Sequence, residues 1–377
     1  MKKIIIFLGC LISVSVNSQS VKELSRDWTS FVQTIAVESK TTKKFKIEAS
    51  VRLESDDKSA TASIWVKVKN KKNENSFFDN MEDRPVKSNL WKSYSIEGTI
   101  DANSKSLNFG GLCQFNGKFY FDSFKVYIEN DKGVLELIPI ANESFEEEVI
   151  DGIIPKWGLG TLKDQMIKIK EYKIFSDKNT DGTYSLLIHG TGIKTREYKI
   201  GKVEGASPQI GAMISMLNDL KDRVEETVKN MSKYELDYLH DEKSNRIGSL
   251  IMHLAAAEKY YQVYTFENRE FNDEEKKIWQ VAMDLDQGGR DTFKGHEVQY
   301  YLDIYNEVRA KTISELKKHD DAWFELYPLK SDMTNHFCWF HVMEHQSSHL
   351  GQILFLKKRI LPIEPPKKIK WKKKIQN

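Results

Sequence analysis

The chain has 377 residues, with 57 lysines and arginines against 55 aspartates and glutamates, so its formal net charge is only +2. This length allows about two domains, each with a sizeable core. Because a nearly neutral chain lacks the strongly positive field of nucleic-acid-binding proteins, we expect no nucleic-acid partner. No segment approaches the ~20 consecutive apolar residues that a membrane span needs, so no transmembrane segment is expected.

The N-terminus has the pattern of a secretory signal peptide. A positive start, Met-Lys-Lys, precedes a short apolar run over residues 4–16, and Ser18 ends an acceptable small-residue cleavage site. We therefore predict that residues 1–18 are removed and that the protein is exported, either to the periplasm or outside the cell. A lipoprotein signal at Cys10 is a weaker alternative, because this cysteine lies in the middle of the apolar run.

Residues 21–205 have the pattern of an antiparallel β-domain. Residues 45–53 read Phe-Lys-Ile-Glu-Ala-Ser-Val-Arg-Leu, residues 62–69 alternate in a similar way, and turn-forming residues separate such stretches. Alternation with period two gives each strand one buried and one solvated face, which is typical of a β-sandwich.

The order of the strands within this region is unusual. Four segments resemble the later half of a galactose-binding-like jelly roll, namely residues 77–85, 91–96, 107–111 and 120–124. Three later segments resemble its opening half, namely residues 142–146, 155–158 and 184–190. The chain therefore forms either one permuted sandwich or a complete domain followed by a partial copy. We favour one sandwich, because an isolated half-domain would leave an unpaired sheet edge and a small core.

Sandwiches that resemble this one often bind sugars, so a carbohydrate partner is one expectation for the β-domain. Trp91, Trp157, Asp79 and Asp122 are the candidate contacts. Large aromatic residues dominate sandwich cores, however, and carboxylates are common in turns. We therefore favour structural roles for these four residues over a glycan-binding role.

After Pro208 the hydrophobic period becomes that of an α-helix. Residues 208–362 are predicted to form a four-helix bundle, with Ser244 as a candidate cap of the second helix and a long polar crossover before the third. The predicted helices are residues 210–231, 244–266, 298–318 and 333–361. The remaining residues, 363–377, are rich in lysine and are predicted to be a solvated, disordered tail.

Three histidines stand out in the bundle. His345 and His349 are four residues apart in the last helix, so their imidazoles lie on one face and can reach one ion. His253 lies in the second helix among apolar residues. If these helices pack together, three neutral imidazoles converge and leave coordination positions for water or substrate, as in catalytic metal sites.

The sequences around these histidines resemble those of the DinB/YfiT-like superfamily of metal-binding four-helix bundles. The resemblance rests on His-Leu-Ala-Ala-Ala-Glu from His253 and on His-Gln-Ser-Ser-His-Leu-Gly-Gln-Ile from His345, and it extends over residues 208–362. It implies that His253, His345 and His349 hold a divalent ion, with Zn²⁺ or Ni²⁺ expected. Characterised members of the superfamily include metal-dependent transferases that use low-molecular-weight thiols.

His341, Glu344 and Glu258 are expected to lie around the ion without binding it. His341, Glu344 and His345 also match the His-x-x-Glu-His motif of inverted zinc proteases. Those enzymes need a carboxylate ligand far downstream, and only 32 residues follow His345. We rank the protease third, and the sequence identifies no catalytic base.

Two functions therefore remain. The first is a metal-dependent transferase or hydrolase that acts on a small molecule. The second is a non-enzymatic, metal-loaded protein whose sandwich binds a carbohydrate or a protein partner. The sequence leaves the oligomeric state open, with a homodimer as one alternative.

Overall fold

The computed structural model describes residues 21–161 and 167–362, and the chain divides into two compact units, one up to Arg196 and the other from Glu197 onward. The predicted signal peptide and the predicted lysine-rich tail lie outside the described residues. Among the helices of the described ranges, none is long and apolar enough to cross a membrane.

The first unit is a β-sandwich. Its described strands are β1 (Lys22–Leu24), β2 (Trp28–Ala36), β3 (Lys43–Glu54), β4 (Thr61–Asn70), β5 (Asn75–Asp79), β6 (Lys92–Ile100), β7 (Ser104–Gln114), β8 (Gly117–Glu129), β9 (Leu135–Ile138), β10 (Gly158–Leu159), β11 (Ile167–Ile169), β12 (Tyr172–Lys178) and β13 (Tyr184–Gly190). One sheet has the order β10-β2-β7-β4-β5, and the other has the order β12-β13-β8-β3-β6 with β9 paired to β8. The pairings within both sheets are antiparallel, as the alternating pattern predicts. β1 and β11 form a separate parallel pair.

The late segments of this unit belong to the same sandwich as the early ones. β13 pairs with β8, and β10 pairs with β2. The ring of Trp157 lies 5.3 Å from that of Phe31 and 5.4 Å from that of Phe145, and its indole N–H donates to the Asn142 carbonyl at 3.0 Å. The late strands therefore share the two sheets and the core with the early ones, and Trp157 is a core residue rather than a surface contact.

Asp79 also has a structural role. One carboxylate oxygen accepts from the Met81 backbone N–H at 2.8 Å, and the other pairs with Arg84 at 2.5 Å. These contacts hold the turn after β5, as expected of a turn carboxylate. Asp122 is half-buried beside Ser123, and burial raises the pKa of its carboxyl group.

A fragment of residues 20–137 should not fold by itself. It would lack Phe145 and Trp157 from the core, and β8 would become an unpaired edge without β13. We expect no cooperative thermal transition by circular dichroism, whereas residues 20–196 should show one. A cooperative transition in the short fragment would instead support a complete first domain with a partial copy.

The second unit is a helical bundle. Its described helices are α1 (Pro208–Val228), α2 (Lys233–Asp237), α3 (Ile247–Phe266), α4 (Asp273–Asp284), α5 (Gln287–Thr292), α6 (Val298–Leu316) and α7 (Asn335–Lys357), with a 3₁₀ turn at Asp321–Glu325. The four predicted helices correspond to α1, α3, α6 and α7. α3 is buried around most of its circumference because it packs against α4, α6 and α7.

One local prediction in this unit is wrong. Ser244 does not cap α3: its hydroxyl accepts from the backbone N–H groups of His240 and Asp241, and Arg246 is the N-cap residue. The predicted polar crossover contains two helices that the sequence did not indicate: Asn272 caps α4 in a capping box, and Asp286 caps α5. Most of α4 is solvated, so its buried stripe is too narrow to stand out in the sequence.

Candidate metal centre

The three predicted histidines lie together between α3 and α7. His253 is 8% exposed on α3, and His345 and His349 extend toward it from successive turns of α7. The Nε2 atom of His345 is 3.1 Å from that of His253 and 3.1 Å from that of His349. The ligand atoms all lie within 4.8 Å of one another, so the two helices bring them to one point.

The opposite ring nitrogens of two histidines are anchored to oxygen atoms. His253 Nδ1 lies 2.8 Å from the Ala282 carbonyl oxygen, and His349 Nδ1 lies 3.1 Å from Gln352 Oε1. Since these oxygens only accept hydrogen bonds, both Nδ1 atoms carry the proton. The Nε2 atoms of His253 and His349 therefore present lone pairs to the centre of the cluster, which is how metal-binding histidines are held.

A divalent ion fits this arrangement. His345 Nε2 can donate a proton to only one of its two neighbours, so the other contact would place two lone pairs face to face. Two nitrogens bound to a tetrahedral ion at about 2.0–2.1 Å are about 3.3 Å apart, close to the two 3.1 Å separations that involve His345. Three imidazoles leave a further coordination position of such an ion available.

The surroundings keep these imidazoles neutral. Burial lowers the pKa of His253 and His349 below the usual value for histidine. Burial, with the neighbouring rings of His349, His253 and His341, lowers the pKa of His345 to about 3. All three rings are therefore unprotonated at pH 7, which is the form that binds a metal.

Comparison with known proteins agrees with this geometry. Residues 212–361 match the model of the family described as mycothiol-S-transferase. The helical unit is a DinB-like bundle. The matched segment covers this unit and not the β-sandwich.

Solved structures similar to parts of the chain include three of interest. YfiT from Bacillus subtilis, described as a probable metal-dependent hydrolase with an unusual four-helix bundle topology, is 17% identical over 45% of this chain and 94% of its own, with a TM-score of 0.32. A DinB-like protein from Bacillus cereus is 15% identical over 38% of this chain and 89% of its own, with a TM-score of 0.30. The CBM22-1 xylan-binding domain from Paenibacillus barcinonensis Xyn10C is 13% identical over 29% of this chain and 65% of its own, with a TM-score of 0.19. No curated protein matches the chain significantly.

His341 and Glu344 lie at the rim of the site in the DinB-like bundle. His341 Nδ1 is 2.8 Å from Glu344 Oε1, and their side chains are 42% and 46% exposed. The ring centroid of His341 is 5.7 Å from that of His345, so the two rings are neighbours along the helix. His341 is not one of the three residues whose ligand atoms converge.

The expectation that Glu258 lies beside the ion requires a correction, because its carboxylate accepts hydrogen bonds from residues of the bundle core and not from a ligand histidine. Arg309 donates to both of its oxygens at 2.8 Å, and Thr312 and Gln346 donate at 2.6 Å and 2.8 Å. Glu258 lies five residues after His253, which places it on another side of α3, within the bundle core.

Two groups that orient the ligands were not identified from the sequence. Gln352 is the last residue of the His-x-x-x-His-x-Gly-Gln element, and its position three residues after His349 could have indicated the contact. The Ala282 carbonyl gives no such signal, because it is a backbone group of the crossover helix α4.

An open cleft of about 520 Å³ adjoins Gln352. Leu250, Ser348 and Phe355 contribute to its wall, with Gly351 between them. A Cβ atom at Gly351 would meet no other atom within 4 Å, so the helix surface is open there. The cleft gives a small molecule room beside the residue that orients His349.

Proposed function

We propose that this chain is an exported, metal-dependent enzyme that transfers or hydrolyses a group of a small molecule. His253, His345 and His349 would hold the ion, for which Zn²⁺ and Ni²⁺ are the candidates because neutral imidazole suits both. The observation that carries the proposal is the convergence of three Nε2 atoms, with the Nδ1 atoms of His253 and His349 anchored on the opposite side. A purely structural site would use a fourth protein ligand.

The residues around the site have separable tasks. Ala282 and Gln352 fix the ring orientation of two ligands, and burial keeps the imidazoles unprotonated. When bound, the ion would lower the pKa of a coordinated water or thiol and so provide a nucleophile at neutral pH. The cleft beside Gln352 is the proposed entry for the small molecule.

The description of the matching family supports a thiol as one reactant. Predicted export separates the protein from the cytoplasmic thiol pool, so hydrolysis is the second reaction class to test. The metal site is compatible with either reaction, because both need a metal-activated nucleophile.

Activity should depend on the metal and on the three histidines. The full chain without its signal peptide is purified metal-free, then reloaded with Zn²⁺ or Ni²⁺. It is assayed with a small thiol and 1-chloro-2,4-dinitrobenzene, and separately with p-nitrophenyl acetate. We expect turnover in one of the two assays, and only after the metal is reloaded. The reloaded His349→Ala variant should lose this activity, and the reloaded His341→Ala variant should keep it. Equal turnover before and after reloading would contradict the proposal.

The sandwich has a second candidate function, carbohydrate binding. Trp91 is 39% exposed, its ring lies 6.3 Å from that of Tyr120, and the Arg52 guanidinium stacks 3.6 Å from the Tyr120 ring centroid. Glu54 completes the cluster by pairing with Arg52. Exposed aromatic faces beside polar groups are suited to sugar rings, whose C–H faces are apolar and whose hydroxyls need hydrogen bonds.

Sugar binding is tested by calorimetric titration with soluble xylan and galactan oligosaccharides. We expect Trp91→Ala to abolish any binding, while Phe78→Ala should have no effect. Phe78 is the matched control, because it is an aromatic residue 54% exposed on β5 of the other sheet. Binding that survives Trp91→Ala would exclude this surface.

A further inference from the structure

A buried polar network joins three helices of the bundle. Glu258 on α3, Arg309 on α6 and Gln346 on α7 are each at most 1% exposed. Arg309 donates to both Glu258 oxygens at 2.8 Å and to Gln346 Oε1 at 2.9 Å. Gln346 Nε2 donates to Glu258 Oε2 at 2.8 Å. Both ends of the Gln346 amide are therefore engaged.

Gln346 is placed to set the rotation of α7. It directly follows the ligand His345 and precedes the ligand His349 by three residues. Measured around the axis of α7, its side chain is therefore about 100° from that of His345 and about 60° from that of His349. Its two hydrogen bonds fix one amide orientation against Glu258 and Arg309. A rotation of α7 about its axis would break both bonds.

The same network fixes α3, which carries the third ligand. Glu258 lies five residues after His253, about 7.5 Å farther along the helix axis. The clamp between Glu258 and Gln346 therefore connects the two helices that bear the metal ligands. A rotation of 20° moves a side-chain tip by roughly 2 Å at a radius of about 5–6 Å, whereas a metal site tolerates about 0.2 Å.

We propose that Gln346 is a positioning residue of the metal centre, which holds His345 and His349 in register with His253 through Glu258 and Arg309. The inference rests on the proposed function only in requiring that the three histidines bind a metal. Glutamine suits the position because it both donates to Glu258 and accepts from Arg309. A glutamate would place like charges at hydrogen-bond distance, and a leucine would leave both partners short of one bond.

This role also explains why a glutamine, and not a glutamate, follows His345. In zinc proteases with the His-Glu-x-x-His motif, the glutamate that follows the first ligand acts as the base. Here the side chain of Gln346 ends in a neutral amide, which cannot act as a base. It faces Glu258 and Arg309 in the bundle core. Gln346 thus acts through the ligands and not on a substrate.

The test compares Gln346→Met with Thr312→Val in the full chain. Thr312 is fully buried on α6 and donates to Glu258 at 2.6 Å, so its removal perturbs the same network without touching α7. Metal affinity is measured with Co²⁺ at a temperature where circular dichroism shows both variants folded. The cobalt absorption spectrum reports the ligand geometry.

We expect Gln346→Met to bind Co²⁺ about 10- to 100-fold more weakly with an altered spectrum, which is typical of losing a supporting residue. Thr312→Val should bind within about twofold of the unchanged protein. If Gln346→Met does not fold, Gln346→Asn provides a milder truncation with the same expected direction. Equal weakening in both variants, or none in either, would overturn the positioning role.

The outcome is separable from that of the proposed function. A chain that catalyses neither reaction, but whose Co²⁺ affinity falls in Gln346→Met and not in Thr312→Val, supports the positioning role and contradicts the enzyme. A chain that binds no Co²⁺ overturns both.

Discussion

Replacing His345 or His349 with alanine should abolish stoichiometric metal binding. Each variant leaves only two imidazoles, and the Nε2 of His345 is the atom that lies 3.1 Å from both of the others. Two neutral nitrogens rarely retain a divalent ion against buffer and chelators. We expect a metal-to-protein ratio near one for the unchanged chain and near zero for both variants, measured by mass spectrometry of the protein after equilibration with Zn²⁺ and desalting.

His341→Ala is the matched control for this experiment. His341 lies one turn before His345 on α7, and it pairs with Glu344 rather than with the three ligands. Its removal should leave the metal ratio unchanged. Equal loss of metal in His341→Ala would return weight to the inverted-protease motif that includes His341, Glu344 and His345.

The three ligands could be predicted because histidine is a common metal ligand and two of the three are spaced by about one helical turn. His345 and His349 share a face by spacing alone, and His253 is conspicuous among the apolar residues of α3. Helical spacing also predicts the long helices α1, α6 and α7, each of which buries one stripe of residues, whereas α3 is a long segment that is apolar around most of its circumference. The poor stability of an isolated half-domain predicts a single sandwich, and Trp157 lies in one core with the early strands.

The supporting contacts could not be predicted, because they join residues far apart in the chain. Arg309 is 51 residues from Glu258, and Gln346 is 88 residues from it. Ala282 orients His253 through a backbone oxygen, which carries no sequence signature. The prediction for Glu258 was wrong because helical spacing gives the side of α3 on which its side chain lies. It does not give which helix packs against that side.

Removing the metal should leave the bundle folded. In the metal-free protein the outer nitrogens of His253 and His349 keep their oxygen partners, and the three Nε2 atoms remain within hydrogen-bond reach. The loss is then about one unsatisfied polar group, worth about 1 to 3 kcal/mol. For a domain of this size, that lowers the melting temperature by a few degrees.

Removing Arg309 should have a larger effect on stability than removing the metal. Arg309→Met leaves the fully buried carboxylate of Glu258 without its cation, which costs about 3–5 kcal/mol. Since a domain of this kind is stable by only about 5–15 kcal/mol, a large share of its stability would be lost. The measurement is the helical circular dichroism signal during thermal unfolding, with and without a chelator.

The double variant Arg309→Met, Glu258→Leu distinguishes a buried-charge effect from poor packing. It removes both charges and fills the space with apolar groups, so it should regain much of the stability that Arg309→Met loses. No recovery would mean that the shape of the Arg309 side chain matters more than its charge. The chelator tests the metal separately. If the chelator alone unfolds α1 to α7, the ion is structural. The proposed enzyme then loses its main physical support, because a metal required for folding need not have an open position for substrate.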